Sequence, residues 1–326
     1  MPPELKNQSL VEGAFFAALT TLVALLGLYV PPLYPVAGLA GPLPLAVLVC
    51  RRDLRTGVLA LLVAAVLLFF LFGRPLTVLV LVIDFGPLGL LLGLLYKRRT
   101  SAGLSVAAAG VAAALLTLVT ALITFRVTGI NPFVTGPEMR RSMEQVLAWY
   151  QQHGMLNAAA GQQLKQAMDQ ALHLMSTLLP ANLIVWSLVS AGITYMLGRL
   201  VLKRLGFKVV PLPPLHRWQL PWYMIWTLIP GLSLLLAGES PGQRILMVLA
   251  ENLLFVAGFV YLIAGVSVTA FYIRRWARTR LFKYLLLFLI VLYLPYALVA
   301  LCTLGLSDSL LNIRRLSGPA KGEDKK

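Results

Sequence analysis

Long unbroken apolar stretches alternate with short polar connections along almost the whole chain, and this alternation predicts membrane-spanning helices. A bilayer core takes about 20 apolar residues as helix. Runs of that size cover residues 10–30, 56–73, 76–96, 102–125, 176–202, 221–238, 245–273 and 281–306. A ninth run, 39–50, is short and holds Pro42 and Pro44. The next run opens directly after Arg51-Arg52-Asp53-Leu54-Arg55, so the ninth is read as returning the chain across the membrane. The runs do not alternate in polarity from residue to residue, which excludes a transmembrane β-barrel. The expected fold is an all-α polytopic bundle of eight to ten spans.

One sizeable segment, about 128–174, breaks the pattern. Gly129, Asn131-Pro132 and Gly136-Pro137 give turn and helix-start signals, and Met139, Met143, Val146, Leu147 and Tyr150 follow at helical spacing. Gly154 and Gly161 interrupt that period, and Leu164, Met168 and Leu172 resume it. Two amphipathic helices are expected, forming either a cap at the outer mouth of the bundle or in the interface, or a lid over a ligand site. The polar tail 317–326 is expected to be disordered.

Composition agrees: 59% of the 326 residues are hydrophobic and 12% charged, so a soluble domain of ordinary composition is excluded. The 28 Lys and Arg against 12 Asp and Glu give +16, but as short clusters between apolar runs, which argues against nucleic-acid binding. The clusters carry orientation instead, because cytoplasmic connections are enriched in Lys and Arg. With the N-terminus inside, sixteen basic residues fall in inner connections, among them Arg51, Arg52, Lys97, Arg99, Lys203, Arg217, Arg274 and Arg275. Six fall outside: Arg74, Arg126, Arg140, Arg141, Lys165 and Arg244. Nine crossings leave Arg314, Arg315, Lys321, Lys325 and Lys326 outside, unless the last run makes a hairpin around Pro295 and returns. Glu4 and Glu12 bracket Lys6, so the start does not read as a cleaved signal peptide.

Candidate chemistry rests on polar residues inside the spans. Of the twelve acids, Glu12, Asp84, Glu251 and Asp308 fall at membrane depth, where a carboxylate costs on the order of 2.5 to 3.5 kcal/mol on insertion scales. Asp84 is nearest the middle of its run, and its carboxylate is expected to pair with a cation or to bind a proton. Glu251, Asn252, Asn182 and Trp186 sit at comparable depths toward the outer side, with Arg126 as a candidate counter-charge. These six residues either bound a substrate cavity opening outward or are structural contacts between helices. Ala14 and Ala18, four apart, and Gly89 and Gly93, also four apart, permit close approach of another backbone. A membrane partner at Ala14 and Ala18 and internal packing at Gly89 and Gly93 are the expectations. No HExxH, GxSxG or GxxxxGK occurs, His153, His173 and His216 have no ligand-spaced acid or cysteine, and Cys50 and Cys302 stand alone. Neither an enzyme, nor a cofactor, nor a metal site is expected.

The first 100 residues resemble the substrate-binding S-components of energy-coupling-factor transporters. The shared features are Ala14-xxx-Ala18, Pro42-Leu43-Pro44, a basic turn before Gly57, and Gly89-xxx-Gly93 ahead of Lys97-Arg98-Arg99. The resemblance implies a six-helix unit over residues 1–205 with the segment 128–174 as an outer insertion, followed by further membrane helices over 206–316. It also implies that Ala14 and Ala18 dock a coupling subunit and that a small molecule binds near the outer surface. The whole chain resembles the YybS-like family of multispanning proteins of Gram-positive bacteria through Glu12-Gly13-Ala14, Pro42-Leu43-Pro44, and Asp308 and Arg314 near the end. That implies a multi-pass protein of a bacterial plasma membrane. MreD, an envelope morphogenesis protein, also resembles the S-component fold. The expected function is therefore small-solute binding or transport, with a non-enzymatic envelope scaffold as the alternative.

Overall fold

A computed structural model describes residues 3–129, 137–153, 158–240, 242–276 and 279–315. Asn131-Pro132, Gly136, Gly154, Arg278 and the tail 317–326 lie outside the described residues. Twelve α-helices run through the described residues: α1 (Pro3–Tyr29), α2 (Tyr34–Ala40), α3 (Pro42–Arg51), α4 (Leu54–Phe72), α5 (Pro75–Lys97), α6 (Ala102–Thr128), α7 (Pro137–Gln152), α8 (Ala158–Arg204), α9 (Leu228–Gly238), α10 (Arg244–Trp276), α11 (Arg280–Leu292) and α12 (Leu294–Leu311). Among these residues there is no strand, and eight segments are long and apolar enough to cross a membrane.

The surface is inverted relative to a soluble protein. On α4 the small residues Gly57, Ala60 and Ala64 are buried, whereas Leu59, Leu62 and Phe70 are exposed. On α6, Ala109, Gly110 and Ala113 are buried while Leu104, Val111 and Leu115 face out. Small residues inside let backbones approach, and large apolar residues outside meet lipid tails without cost.

Two compact units divide the chain: unit 1 is Met1–Leu172 with Asn182–Leu212, and unit 2 is His173–Ala181 with Pro213–Lys326. In unit 1 the short α3 is the most enclosed helix, with Leu45, Leu48 and Val49 fully buried. A Cβ on Gly89 of α5 would lie 2.6 Å from the Pro42 carbonyl, and one on Gly93 would lie 2.8 Å from that of Ala46. Gly89 and Gly93 thus serve internal packing against α3. Tyr96 stacks on Tyr195 at 5.2 Å and donates to its carbonyl at 2.6 Å, which ties α5 to α8. Asp53 caps α4 by accepting from the Thr56 N–H at 2.7 Å. Glu12, one of the four acids expected at membrane depth, pairs with Arg51 at 3.2 Å and Arg52 at 2.9 Å beside that cap.

Four runs differ from the sequence pattern. The run 221–238 opens as a 3-10 helix, Trp222–Thr227, before the 11-residue α9, and is not one of the eight segments long enough to cross. The short run 39–50 gains Pro31–Ala40 in front of it and becomes a segment of 21 residues, Pro31–Arg51. The second amphipathic helix is not separate: Gly161 lies inside α8, whose 47 residues reach about 70 Å, more than twice the hydrocarbon thickness. The run 281–306 breaks at Tyr293 into α11 and α12, because Pro295 in the first turn of α12 has no N–H to carry a continuous helix.

In unit 2, α12 lies against α10. A Cβ on Gly305 would collide with the Tyr261 carbonyl and one on Gly265 with that of Leu301, while Cys302 Sγ reaches the Gly258 carbonyl at 3.4 Å. With 258 facing 302 and Ser267 reaching Arg314, the two helices run in the same direction. The chain after α10 therefore turns back through α11, and α12 ends on the side of unit 2 where α10 ends.

Candidate functional site

Asp84 lies on α5, three residues before Pro87, within the span Pro75–Lys97. Its Oδ1 accepts from the Thr120 hydroxyl of α6 at 3.4 Å, a long contact. That hydroxyl has one proton and a nearer acceptor, the Thr117 carbonyl at 3.0 Å. Ser187 of α8 donates to the Leu183 carbonyl at 2.7 Å, so in the 2.8 Å pair between Thr117 and Ser187 the proton comes from Thr117. Thr117 and Ser187 thus form a hydroxyl pair, and Thr120, bonded to the Thr117 backbone carbonyl, stands between that pair and one carboxyl inside unit 1. Pro87 also leaves the Ile83 carbonyl without its helical donor, beside Asp84.

The other expected residues fall in different surroundings. Arg126 is exposed at the last turn of α6, and the ion pairs among the described residues are made by Glu12 and Asp308 rather than by Asp84. Asn182 is half-buried, and Trp186, four residues on, presents its indole outward at 69% exposure. Glu251 and Asn252 belong to unit 2, where Glu251 is half-buried. Asn252 has a structural task. Its Nδ2 donates to the Thr177 carbonyl at 2.7 Å and its Oδ1 accepts from the Ala181 N–H at 2.8 Å. Those backbone groups are four apart in α8, on either side of Pro180, and would bond to each other in an unbroken helix. Its second amide proton goes to the Val248 carbonyl at 2.8 Å.

Ala14 and Ala18 lie on the exposed face of α1 with Val11, Phe15 and Leu22, opposite buried Gly13, Phe16 and Ala17. Two surface concavities are formed by other residues. One, of about 470 Å³, runs along the Val146, Trp149 and Tyr150 stripe of α7; the other, of about 300 Å³, lies between α4 and α5 at Phe69 and Val78.

The most complete polar assembly is one that sequence reasoning left unassembled. Arg314 and Asp308 are buried, and the guanidinium donates to Asp308 Oδ2 from Nε at 3.1 Å and from Nη2 at 2.7 Å. Nη1 reaches the His216 carbonyl at 2.9 Å and Ser267 Oγ at 2.8 Å, and Nη2 also reaches the Trp218 carbonyl at 2.7 Å. The clasp pins the loop around His216 to α10 at Ser267 and to the end of α12. The acid and the arginine near the chain end were visible in the sequence, but Ser267 inside an apolar run gave no sign of what it meets.

The family described as "Predicted membrane protein (DUF2232)" matches residues 18–309, nearly the whole chain. The chain belongs to that family. It is also 22% identical over 268 residues to the uncharacterized protein YybS of Bacillus subtilis (strain 168), covering 82% of this chain and 85% of that protein. No solved structure matches the chain. The multispanning resemblance expected from the ends of the chain is thus supported by relatives, and the protein is an integral membrane protein of this family.

Proposed function

We propose that this membrane protein is a small-solute binding or transport subunit whose site is built on Asp84. The observation that carries the reading is a carboxyl within a span that has a long hydroxyl contact and no cationic partner among the described residues. A carboxyl at that depth is costly unless a proton, a cation or a ligand's donor groups compensate it. The Ile83 carbonyl freed by Pro87 and the hydroxyls of Thr117, Thr120 and Ser187 add oxygen acceptors, so the solute class favoured is one carrying a positive charge or several N–H donors. Asn182, Trp186 and Arg126 of unit 1 are candidate walls of the same site. The S-component resemblance supports this reading, with the exposed Ala14 and Ala18 docking a coupling subunit. The sixteen-to-six division of basic residues supports a cytoplasmic N-terminus in a bacterial plasma membrane. No catalytic step is assigned.

Native mass spectrometry of the purified protein tests the reading through Asp84→Asn, which keeps the size and removes the titrating charge. A co-purifying solute lost in Asp84→Asn at unchanged expression is the expected result. Retention of full function in Asp84→Asn, with Asp84→Leu only lowering yield, overturns it. A second reading, an envelope scaffold with an MreD-like role, is favoured by the polar side chains of unit 2: Asn252, Ser267, Asp308 and Arg314 all close structural contacts.

A further inference from the structure

Three segments of unit 2 are tied together: the last turn of α10 with Arg274 and Arg275, the residues just past α12 with Arg314 and Arg315, and the loop from His216 to Gln219. α10 and α12 are long and apolar enough to cross the bilayer, which would bring their ends to the headgroup region. The loop carrying Arg217 lies across these ends and is held there. The Arg314 guanidinium bonds the carbonyls of His216 and Trp218, the residues on either side of Arg217. Gln219 Nε2 donates to Asn312 Oδ1 at 2.8 Å, and Arg274 Nη1 lies 3.2 Å from His216 Nδ1.

The charge at this end is uncompensated. Arg217, Arg274, Arg275 and Arg315 are exposed, and among the described residues no acid pairs with any of them. The acids of unit 2 are used or distant. Asp308 is occupied by Arg314, whereas Glu251 and Glu239 lie toward the start of α10, since Gly238 packs on Met247, and about 35 to 40 Å of helix separates them from Arg274. The partner that Arg274 does have is an imidazole nitrogen. A neutral ring is a weak acceptor for a guanidinium, and it holds the cation in place without neutralising it. Trp222, Tyr223 and Trp226 are 56% to 64% exposed beside the loop, as aromatic residues are at the level of lipid headgroups.

We propose that this end of unit 2 is a binding site for the phosphate headgroup of an anionic phospholipid, seated between Arg217 and Arg274 against His216. The membrane that surrounds α10 and α12 supplies that chemistry at that depth; Arg274 is held by His216, and the backbone on either side of Arg217 is held by Arg314, so less has to be ordered when a phosphate binds. Charge linkage follows from the geometry. The groups facing His216 are Arg274 from α10, Arg314 from beyond α12 and its neighbour Arg217; burial first, and then these three cations, hold its imidazole below the usual histidine range. A phosphate placed between the arginines offsets their repulsion, so binding raises the His216 pKa, and by reciprocity binding tightens as pH falls through that range.

The full chain in nanodiscs of phosphatidylcholine, with and without phosphatidylglycerol, tests this. Native mass spectrometry should find phosphatidylglycerol retained over phosphatidylcholine. Retention should weaken about fivefold for each of Arg217→Gln and Arg274→Gln, the change expected for one arginine near an anionic lipid surface. Arg244→Gln, at the other end of α10, should leave it unchanged. In the unaltered protein the histidine NMR titration should move His216 upward on adding phosphatidylglycerol, by more than His173, whose Nε2 lies 2.8 Å from Arg244 at the other end of α10. Equal retention of the two lipids, or equal shifts of the two histidines, overturns the proposal even if a variant fails to fold. Displacement of the lipid by millimolar inorganic phosphate also overturns it, because the ligand would then be a soluble phosphate compound.

Discussion

All five N–H donors of the Arg314 guanidinium are engaged, and its side chain is fully buried with that of Asp308. A lysine there would keep the charge but offers three donors on a compact head, which cannot reach the carboxylate, Ser267 and two carbonyls together. Arg314→Lys should therefore lose on the order of 3 kcal/mol, because it leaves a buried carboxylate and two carbonyls short of partners. Thermal unfolding in detergent measures this, and melting at the temperature of the unaltered protein would show that the clasp is dispensable. Asp53 offers a contrast at the surface. Bonds from the Thr56 hydroxyl and backbone N–H hold its carboxyl below the ordinary carboxylate range. With the folded value depressed, its contribution is fully present above about pH 4 and disappears as pH falls through the depressed value. Asp53→Ala should cost about 1 kcal/mol at neutral pH and remove that part of the acid dependence of melting. The cap is local, its donor and acceptor three residues apart, although in the sequence Asp53 reads only as part of a basic connection. The Arg314 clasp was not readable there either, because it joins residues 47 and 96 positions apart along the chain.

The helices themselves were largely legible. An apolar run of bilayer length has one low-energy backbone in lipid, so the spans around α1, α4, α5, α6 and α10 follow from composition alone. Where the runs misled, the cause was local. The run 281–306 is apolar apart from Lys283, and only Pro295 marks the end of α11. In α8 the opposite happens: Pro180 sits inside a continuous helix, because Asn252 from α10 binds the two backbone groups around it. A side chain 71 residues away supplies that repair, so no local pattern announces it. Replacing Asn252 by Leu fills similar space but offers no polar atom. The Ala181 N–H and Thr177 carbonyl then compete for a poorer bond next to a proline, and stability should fall by about 1 to 3 kcal/mol. A melt of Asn252→Leu without any added solute checks this. An unchanged melt would return Asn252 to the list of residues free to bind a ligand.

At the scale of the whole chain, sidedness is the property that every functional reading depends on. The sequence left the basic residues after α12 in conflict with the other sixteen, since nine crossings would have put them outside. Within unit 2 the conflict disappears. α12 runs in the direction of α10, and Arg314 bonds the loop whose His216 contacts Arg274, so Arg315 lies at the end of the unit that carries Arg217, Arg274 and Arg275. With a cytoplasmic N-terminus, as proposed, the expectation is that the basic residues at that end follow the same rule as those after α3, α5 and α8. Labelling single cysteines in intact cells, in a background with Cys50→Ala and Cys302→Ala, tests this. Cysteines replacing Arg99, Lys203 and Arg315 should all resist a membrane-impermeant maleimide, whereas one replacing Arg74 at the start of α5 should react. Ready labelling at Arg315 with protection at Arg99 and Lys203 would mean that α11 and α12 together cross the bilayer once. Labelling at Arg99 or Lys203 would reverse the orientation of the whole chain, and would move the arginine cluster of unit 2 to the outer leaflet.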